Sequence, residues 1–276
     1  MVENNLETAL VLEDDADWDV RIKQQMADYA ATIRALLQPL ASSPSSYADP
    51  TFLNPEEVAG QPEELSFKTL PRTVPPQISP YGDNWDVLWL GHCGTEAPNV
   101  NYEDEAKRKL SQTLARGRVI HYNDETVPEN EWLKIMDQEY DPRLILPNHT
   151  RVTHHVMGQI CSLGYAVSQR GARRILYELG VKKFDLPFDL MLRDICEGVN
   201  GRPKGAVCMT VQPQLFQHHR PVGLSKYISD ISNHADEQPI EKPWTENIRW
   251  SVRMNLPHLV LGETTMDDQY PDQNEA

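Results

Sequence analysis

The apolar run Leu10-Val11-Leu12 is followed directly by Glu13-Asp14-Asp15, and no other stretch constrains this chain as much, because three carboxylates stand where a strand ends. Side chains alternate along an extended strand, so Glu13 and Asp15 are expected on one face and Asp14 on the other. Two carboxylates on one side suit a shared hard cation, manganese or magnesium, whose remaining positions take water or phosphate oxygens. The competing reading is a solvated acidic turn at the start of a helix, where the helix dipole favours negative charge.

A chain of 276 residues is long enough for one large core without staples. The formal net charge of -15, spread along the sequence, speaks against a nucleic-acid or anionic-membrane surface, so a bound anionic substrate would need a cation. The four cysteines, Cys93, Cys161, Cys196 and Cys208, form no C-x-x-C pair. Neither a zinc ribbon nor a dense disulfide scaffold is expected. Residues 1–8 have neither the basic flank nor the apolar stretch of a secretory signal, and no apolar run reaches the roughly 18 residues of a membrane span. As written, the chain is expected in the cytoplasm. A secretory-pathway location applies if an N-terminal segment is missing.

Periodicity predicts a short buried strand over 6–12 and an amphipathic helix over 17–37. Residues 38–84 are dense in proline and serine and read as a long surface insertion. Trp85 to Leu90 reads as a buried strand ending in the turn Gly91-His92-Cys93-Gly94. A solvated excursion is expected over 102–118, with short strands at 119–122 and 143–146. Residues 161–167 form the next predicted strand, with Ser168 as a helix N-cap, a helix over 171–179 and Gly180 closing it. A helix over 190–197, a strand over 206–211 and a frayed acidic tail beyond 263 complete the reading. Strands alternate with helices, which makes the class α/β with a mixed sheet. One domain over 1–235 with a C-terminal extension over 236–276 is expected.

Four groups invite chemistry. Glu13 and Asp15 come first. The glycines around His92 and Cys93 would let backbone approach a ligand at the end of a sheet strand, with Gly91 as a cofactor-binding candidate; the alternative is that they only make the turn. Asp189, after Pro187 and Phe188, is placed to act either as a general base or as a helix N-cap, with Asp194 a lesser candidate. His218-His219-Arg220 offers an imidazole as a third metal ligand, His218 before all, and a guanidinium for phosphate; adjacent histidines in a loop are otherwise simply exposed. His154-His155 is assigned no role. No nucleophile elbow, P-loop or G-x-G-x-x-G turn is present.

Taken in order, Ala9 to Ala16, Trp85 to Gly91, Gly164 to Ser168 with Gly171-Ala172, and Leu186-Pro187-Phe188-Asp189 resemble glycosyltransferase family 25, which includes lipopolysaccharide and collagen galactosyltransferases. The similarity spans residues 6–232, with Ser229-Asp230-Ile231 resembling the end of the catalytic domain. It implies a GT-A type fold, a UDP-galactose-like donor, a saccharide or glycoprotein acceptor, and Mn2+ or Mg2+ bridging the donor diphosphate. Asp15 would coordinate the cation, Glu13 would bind it directly or through water or the donor ribose, His218 would be a third ligand, and Asp189 would be the base of an inverting transfer. The family pattern also places a nucleoside-binding half before the acidic strand, where this chain has only residues 1–8. An N-terminally truncated fold with an exposed sheet edge is therefore expected. A catalytically inactive interaction module, docking partners through its proline-rich segment, is the alternative. A haloacid-dehalogenase type of phosphohydrolase is disfavoured, because Glu13 stands where that chemistry needs an aspartate nucleophile.

Overall fold

In the computed structural model, residues 1–224 and 239–273 are described. Ser229-Asp230-Ile231 and the expected boundary at 235 lie outside them. The elements run β1 (Thr8–Leu12), β2 (Ala16–Trp18), α1 (Ile22–Leu37), β3 (Leu65–Ser66), β4 (Val87–Gly91), α2 (Glu105–Gln112), β5 (Arg118–His121), α3 (Pro142–Ile145), β6 (Arg151–His155), β7 (Gly164–Ser168), α4 (Gln169–Ile175), α5 (Phe188–Glu197), β8 (Cys208–Gln212), β9 (Phe216–Arg220), β10 (Trp244–Thr245) and α6 (Leu256–Leu261). The class is α/β. The sheet has the order β1-β7-β4-β8-β6-β5-β3, with β9 joined to the end of β4 and pairing β2 and β10. It is mixed: β4 runs parallel to β8 and antiparallel to β7.

β4 sits at the centre and is buried along its whole length. Its alternation divides the core, as a period of two demands. Leu88 and Leu90 join Ile33, Leu36 and Leu37 of α1 on one face; Val87 and Trp89 join Met191, Leu192 and Ile195 of α5 on the other. A strand covered on both faces reads as an unbroken apolar run, which is why it was visible in the sequence. Gly171 lets α4 lie directly against the start of β4, since a Cβ there would stand 2.1 Å from the Asp86 carbonyl oxygen. The Asp86 carboxylate accepts from Arg170 Nε at 2.7 Å and from the Val207 amide at 2.9 Å, fastening α4 and the entry to β8 to the same point.

Several expectations are corrected. β1 is an exposed edge strand rather than a buried one, with Leu10 47% and Val11 41% exposed. Residues 16–18 pair with β9, and α1 starts only at Ile22. The proline-rich stretch is folded onto the body: Phe52, Leu65, Phe67 and Tyr81 pack on the core, and β3 pairs β5 in parallel. Its carbonyls from Pro55, Val58 and Gly60 accept from the buried Arg116 guanidinium. Residues 102–118 hold the buried Tyr102 and Arg116 and the helix α2, capped by Asp104. Residues 142–145 are a helical turn started by Pro142 and capped by Asp141, not a strand. Gly180 does not end its helix, which widens into π-helical turns from Leu176 to Lys182. The segment beyond 263 is pinned through residue 272: Arg249 pairs Asp268 at 2.7 Å and Asp272 at 3.2 Å. Among the described residues no helix is long and apolar enough to cross a membrane.

Candidate metal centre

The chain leaves β1 at Leu12 and turns sharply. The Glu13 amide donates to the Leu163 carbonyl at 2.9 Å and the Ala16 amide to the Glu13 carbonyl at 3.2 Å. This turn, rather than the pleat of a strand, carries Glu13 and Asp15 to one side. β2 then pairs β9 with Ala16 opposite His218, which brings the imidazole beside the turn. Ligand atoms of Glu13, Asp15 and His218 lie within 4.8 Å of one another. Two carboxylates and an imidazole form a donor set suited to manganese or a similar divalent ion.

His218 Nδ1 stands 2.8 Å from Asp15 Oδ2. Burial pushes the Asp15 carboxyl up, but the His218 hydrogen bond and charge, with Arg220 beyond, outweigh it and leave the group below its ordinary range. Asp15 is therefore ionised at neutral pH. Glu13 Oε1 accepts from Ser162 Oγ at 3.3 Å. His219 faces the other way, with Nδ1 3.0 Å from Thr245 Oγ1.

Asp189 sits in the first turn of α5 and accepts the Cys161 amide hydrogen on Oδ2 at 2.9 Å. It caps the neighbouring loop, not its own helix. Cys161 is bonded to Cys93, whose sulfur is 3.9 Å from His218 Nε2, so Asp189 belongs to the same end of the sheet as the carboxylates. Asp194 is buried and accepts from Asn200 Nδ2 at 3.1 Å, a structural contact. At Gly91, the cofactor-binding candidate, a Cβ would stand 2.9 Å from the Gly164 amide nitrogen and 3.0 Å from Phe216 Cβ. Its missing side chain lets β4, β7 and β9 meet. His92 is enclosed, with Nε2 3.0 Å from the Val211 carbonyl, and burial pushes its imidazole down to about 4.

Three features escaped the sequence reading. The first is the pairing of all four cysteines, Cys93 with Cys161 and Cys196 with Cys208, across separations of 68 and 12 residues. Cys161 also holds a φ of 62°, a left-handed conformation that costs a residue with a side chain roughly 1 kcal/mol. The second is Asp17, fully buried, which accepts from Thr245 Oγ1 at 2.6 Å, from Ser251 Oγ and from the Trp18 amide at 2.8 Å. The third is Glu246, whose carboxyl burial raises although Arg220, Lys134 and His218 pull it back. A cleft of about 440 Å³ lined by Phe52, Leu114, His155, Glu197 and Lys204 lies apart; Glu13, Asp15, Asp189 and His218 form no part of its wall.

Comparison with known protein-family models, curated proteins and solved structures found no match to the chain.

Proposed function

We propose that this chain is a metal-dependent glycosyltransferase of GT-A type, moving a sugar, galactose in the first instance, from a nucleotide-sugar donor to a hydroxyl acceptor with inversion. The observation that carries the reading is the convergence of Glu13, Asp15 and His218 within 4.8 Å at one end of a mixed sheet. Glu13 and Asp15, with His218 as third ligand, would hold Mn2+ or Mg2+. The bound cation would supply Lewis-acid stabilisation of the departing diphosphate.

The protein's own groups do the remainder. The ionised Asp15 needs no proton release before it binds a cation at neutral pH. Arg220, on β9 two residues beyond His218, brings positive charge toward the same turn, where a diphosphate needs it. Asp189 takes the proton of the acceptor hydroxyl, and its Oδ2 contact with the Cys161 amide fixes its position relative to the carboxylate turn. The paired cysteines favour an oxidising compartment, hence the secretory pathway over the cytoplasm.

Calorimetric titration of the oxidised chain with UDP-galactose, with and without Mn2+, tests this. Manganese-dependent binding that falls about tenfold or more in Asp15→Asn is the expected result. A folded chain that binds no donor under either condition refutes it.

A further inference from the structure

We propose that reduction of the Cys93–Cys161 disulfide turns this corner of the site into a zinc centre, with the two thiolates and His218 Nε2 as its protein ligands. The ligand atoms of Cys93, Cys161 and His218 already lie within 4.8 Å of one another.

The imidazole is prepared for the role. The Asp15 side chain accepts the Nδ1 hydrogen at 2.8 Å, which leaves the Nε2 lone pair directed toward Cys93 Sγ at 3.9 Å. A carboxylate behind the ligating histidine fixes tautomer and ring orientation in zinc proteins generally. The cysteine backbones are held by bonds that survive reduction. The Cys93 amide donates to the Ile160 carbonyl at 3.0 Å and the Ile160 amide to the Gly94 carbonyl at 3.1 Å. The Cys161 carbonyl accepts from Trp89 Nε1 at 2.9 Å, and its amide donates to Asp189 at 2.9 Å. A tetrahedral zinc spaces two thiolates roughly 3.8 Å apart. Side-chain rotation reaches that spacing from Cα atoms 5.5 Å apart.

Access separates the two disulfides. Cys93 is exposed and Cys161 half-buried, whereas Cys196 and Cys208 are 2% and 0% exposed. Thiol–disulfide exchange needs an approach to sulfur, so a dithiol reductant of the thioredoxin class opens the first bond and leaves the second closed. In that step the S–S bond breaks, two electrons and two protons pass to Cys93 and Cys161, and the reductant is oxidised to its own disulfide. Zinc then displaces the two thiol protons, and three protein donors leave a fourth position for water. Thiolates select zinc over manganese or magnesium. The inference stands apart from the sugar-transfer reading, but both draw on the His218 imidazole. The redox state then decides which metal the imidazole serves.

The test uses the full chain, oxidised or reduced by a water-soluble phosphine that converts the disulfide and water to two thiols and phosphine oxide. After anaerobic removal of the reagent, each form is titrated with Co2+ as a spectroscopic stand-in and then with Zn2+. Two thiols titrate in the native reduced chain. Only that form shows a thiolate-to-cobalt charge-transfer band, saturating at one equivalent and bleached by Zn2+, with circular dichroism unchanged. The band is absent from reduced Cys93→Ser, and the affinity falls about tenfold in Asp15→Asn. A reduced chain without the band, a band that persists in Cys93→Ser, four thiols released together, or loss of the folded signal on reduction each overturns the proposal. No nucleotide sugar enters these measurements, so their failure leaves the donor titration of the oxidised chain to stand or fall separately.

Discussion

Asp15 Oδ2 and His218 Nδ1 meet at 2.8 Å although 203 residues separate them in sequence. The contact keeps the carboxyl below its ordinary value against the opposing pull of burial. Removing the imidazole in His218→Ala leaves burial opposed only by a backbone hydrogen bond and the more distant Arg220, so the Asp15 pKa rises. Because the folded value lies below the ordinary 3.8, the contact stabilises the fold above that pH and the stabilisation is lost as pH falls through the folded value. A carbon-detected titration of the Asp15 side chain in both proteins checks the direction; an unmoved midpoint would remove His218 as its cause.

Asp124 and Arg151 form a second, more enclosed pair, with Oδ2 and Nε 2.6 Å apart. Burial works against the charge, but Arg151 and the Thr126 donors hold the Asp124 carboxyl at about 2. Its stabilisation is full above the ordinary carboxylate value and is lost as pH falls from about 4 to about 2. Asp124→Ala leaves Arg151 buried without its partner and costs about 3 kcal/mol at pH 7 by urea unfolding. A loss within a few tenths of a kcal/mol would show the pair to be dispensable.

Acid weakens the fold earlier through buried histidines. Burial pushes His92 down to about 4 and His154 to about 3, below the ordinary 6.5. The unfolded chain takes up protons in this range and the folded one does not, so stability falls from pH 6.5 toward pH 4. Calorimetric melting temperatures should drop steadily over that interval, before the Asp124 window opens. A flat profile there would mean that the imidazoles reach solvent.

Gly171→Ala is expected to destabilise the chain by about 3 kcal/mol, near the upper end of overpacking costs. The new methyl would stand 2.1 Å from the Asp86 carbonyl, a backbone atom that cannot swing aside. Denaturant unfolding of the variant measures it, and a neutral result would show that α4 slides freely over β4.

How far the sequence was legible follows the range of the contacts. β4 announced itself through an unbroken apolar run, and Ser168 as N-cap of α4 through local chemistry, its Oγ accepting the Gly171 amide hydrogen at 3.0 Å. Glu13 and Asp15 lie close together, but a turn unites them and not the pleat that their spacing suggests. β9, spelled Phe216-Gln217-His218-His219-Arg220, has too few apolar residues to signal a strand; it exists because β2, β4 and β10 supply its partners. The same holds for the Cys93–Cys161 bond and for Asp17, whose partners lie far away along the chain. Proline density in 38–84 suggested solvent, yet Asp49 there is buried and accepts from the Thr51 and Gly117 amides, so extended backbone and side-chain acceptors take the place of regular structure.

The bond from Ser251 to Asp17 spans 234 residues and closes the β2–β9 ribbon from the far side. During synthesis, β2 leaves the ribosome long before β9 and Ser251 exist to receive it. The sheet core around β4 can assemble by then, but the carboxylate turn has no imidazole beside it and its neighbour Asp17 has no hydroxyls to satisfy it. Long-range closures of this kind come late in folding. The cluster of Glu13, Asp15 and His218 is therefore the last part of the fold to be born, and a nascent chain stopped before residue 216 would have the two carboxylates without their imidazole.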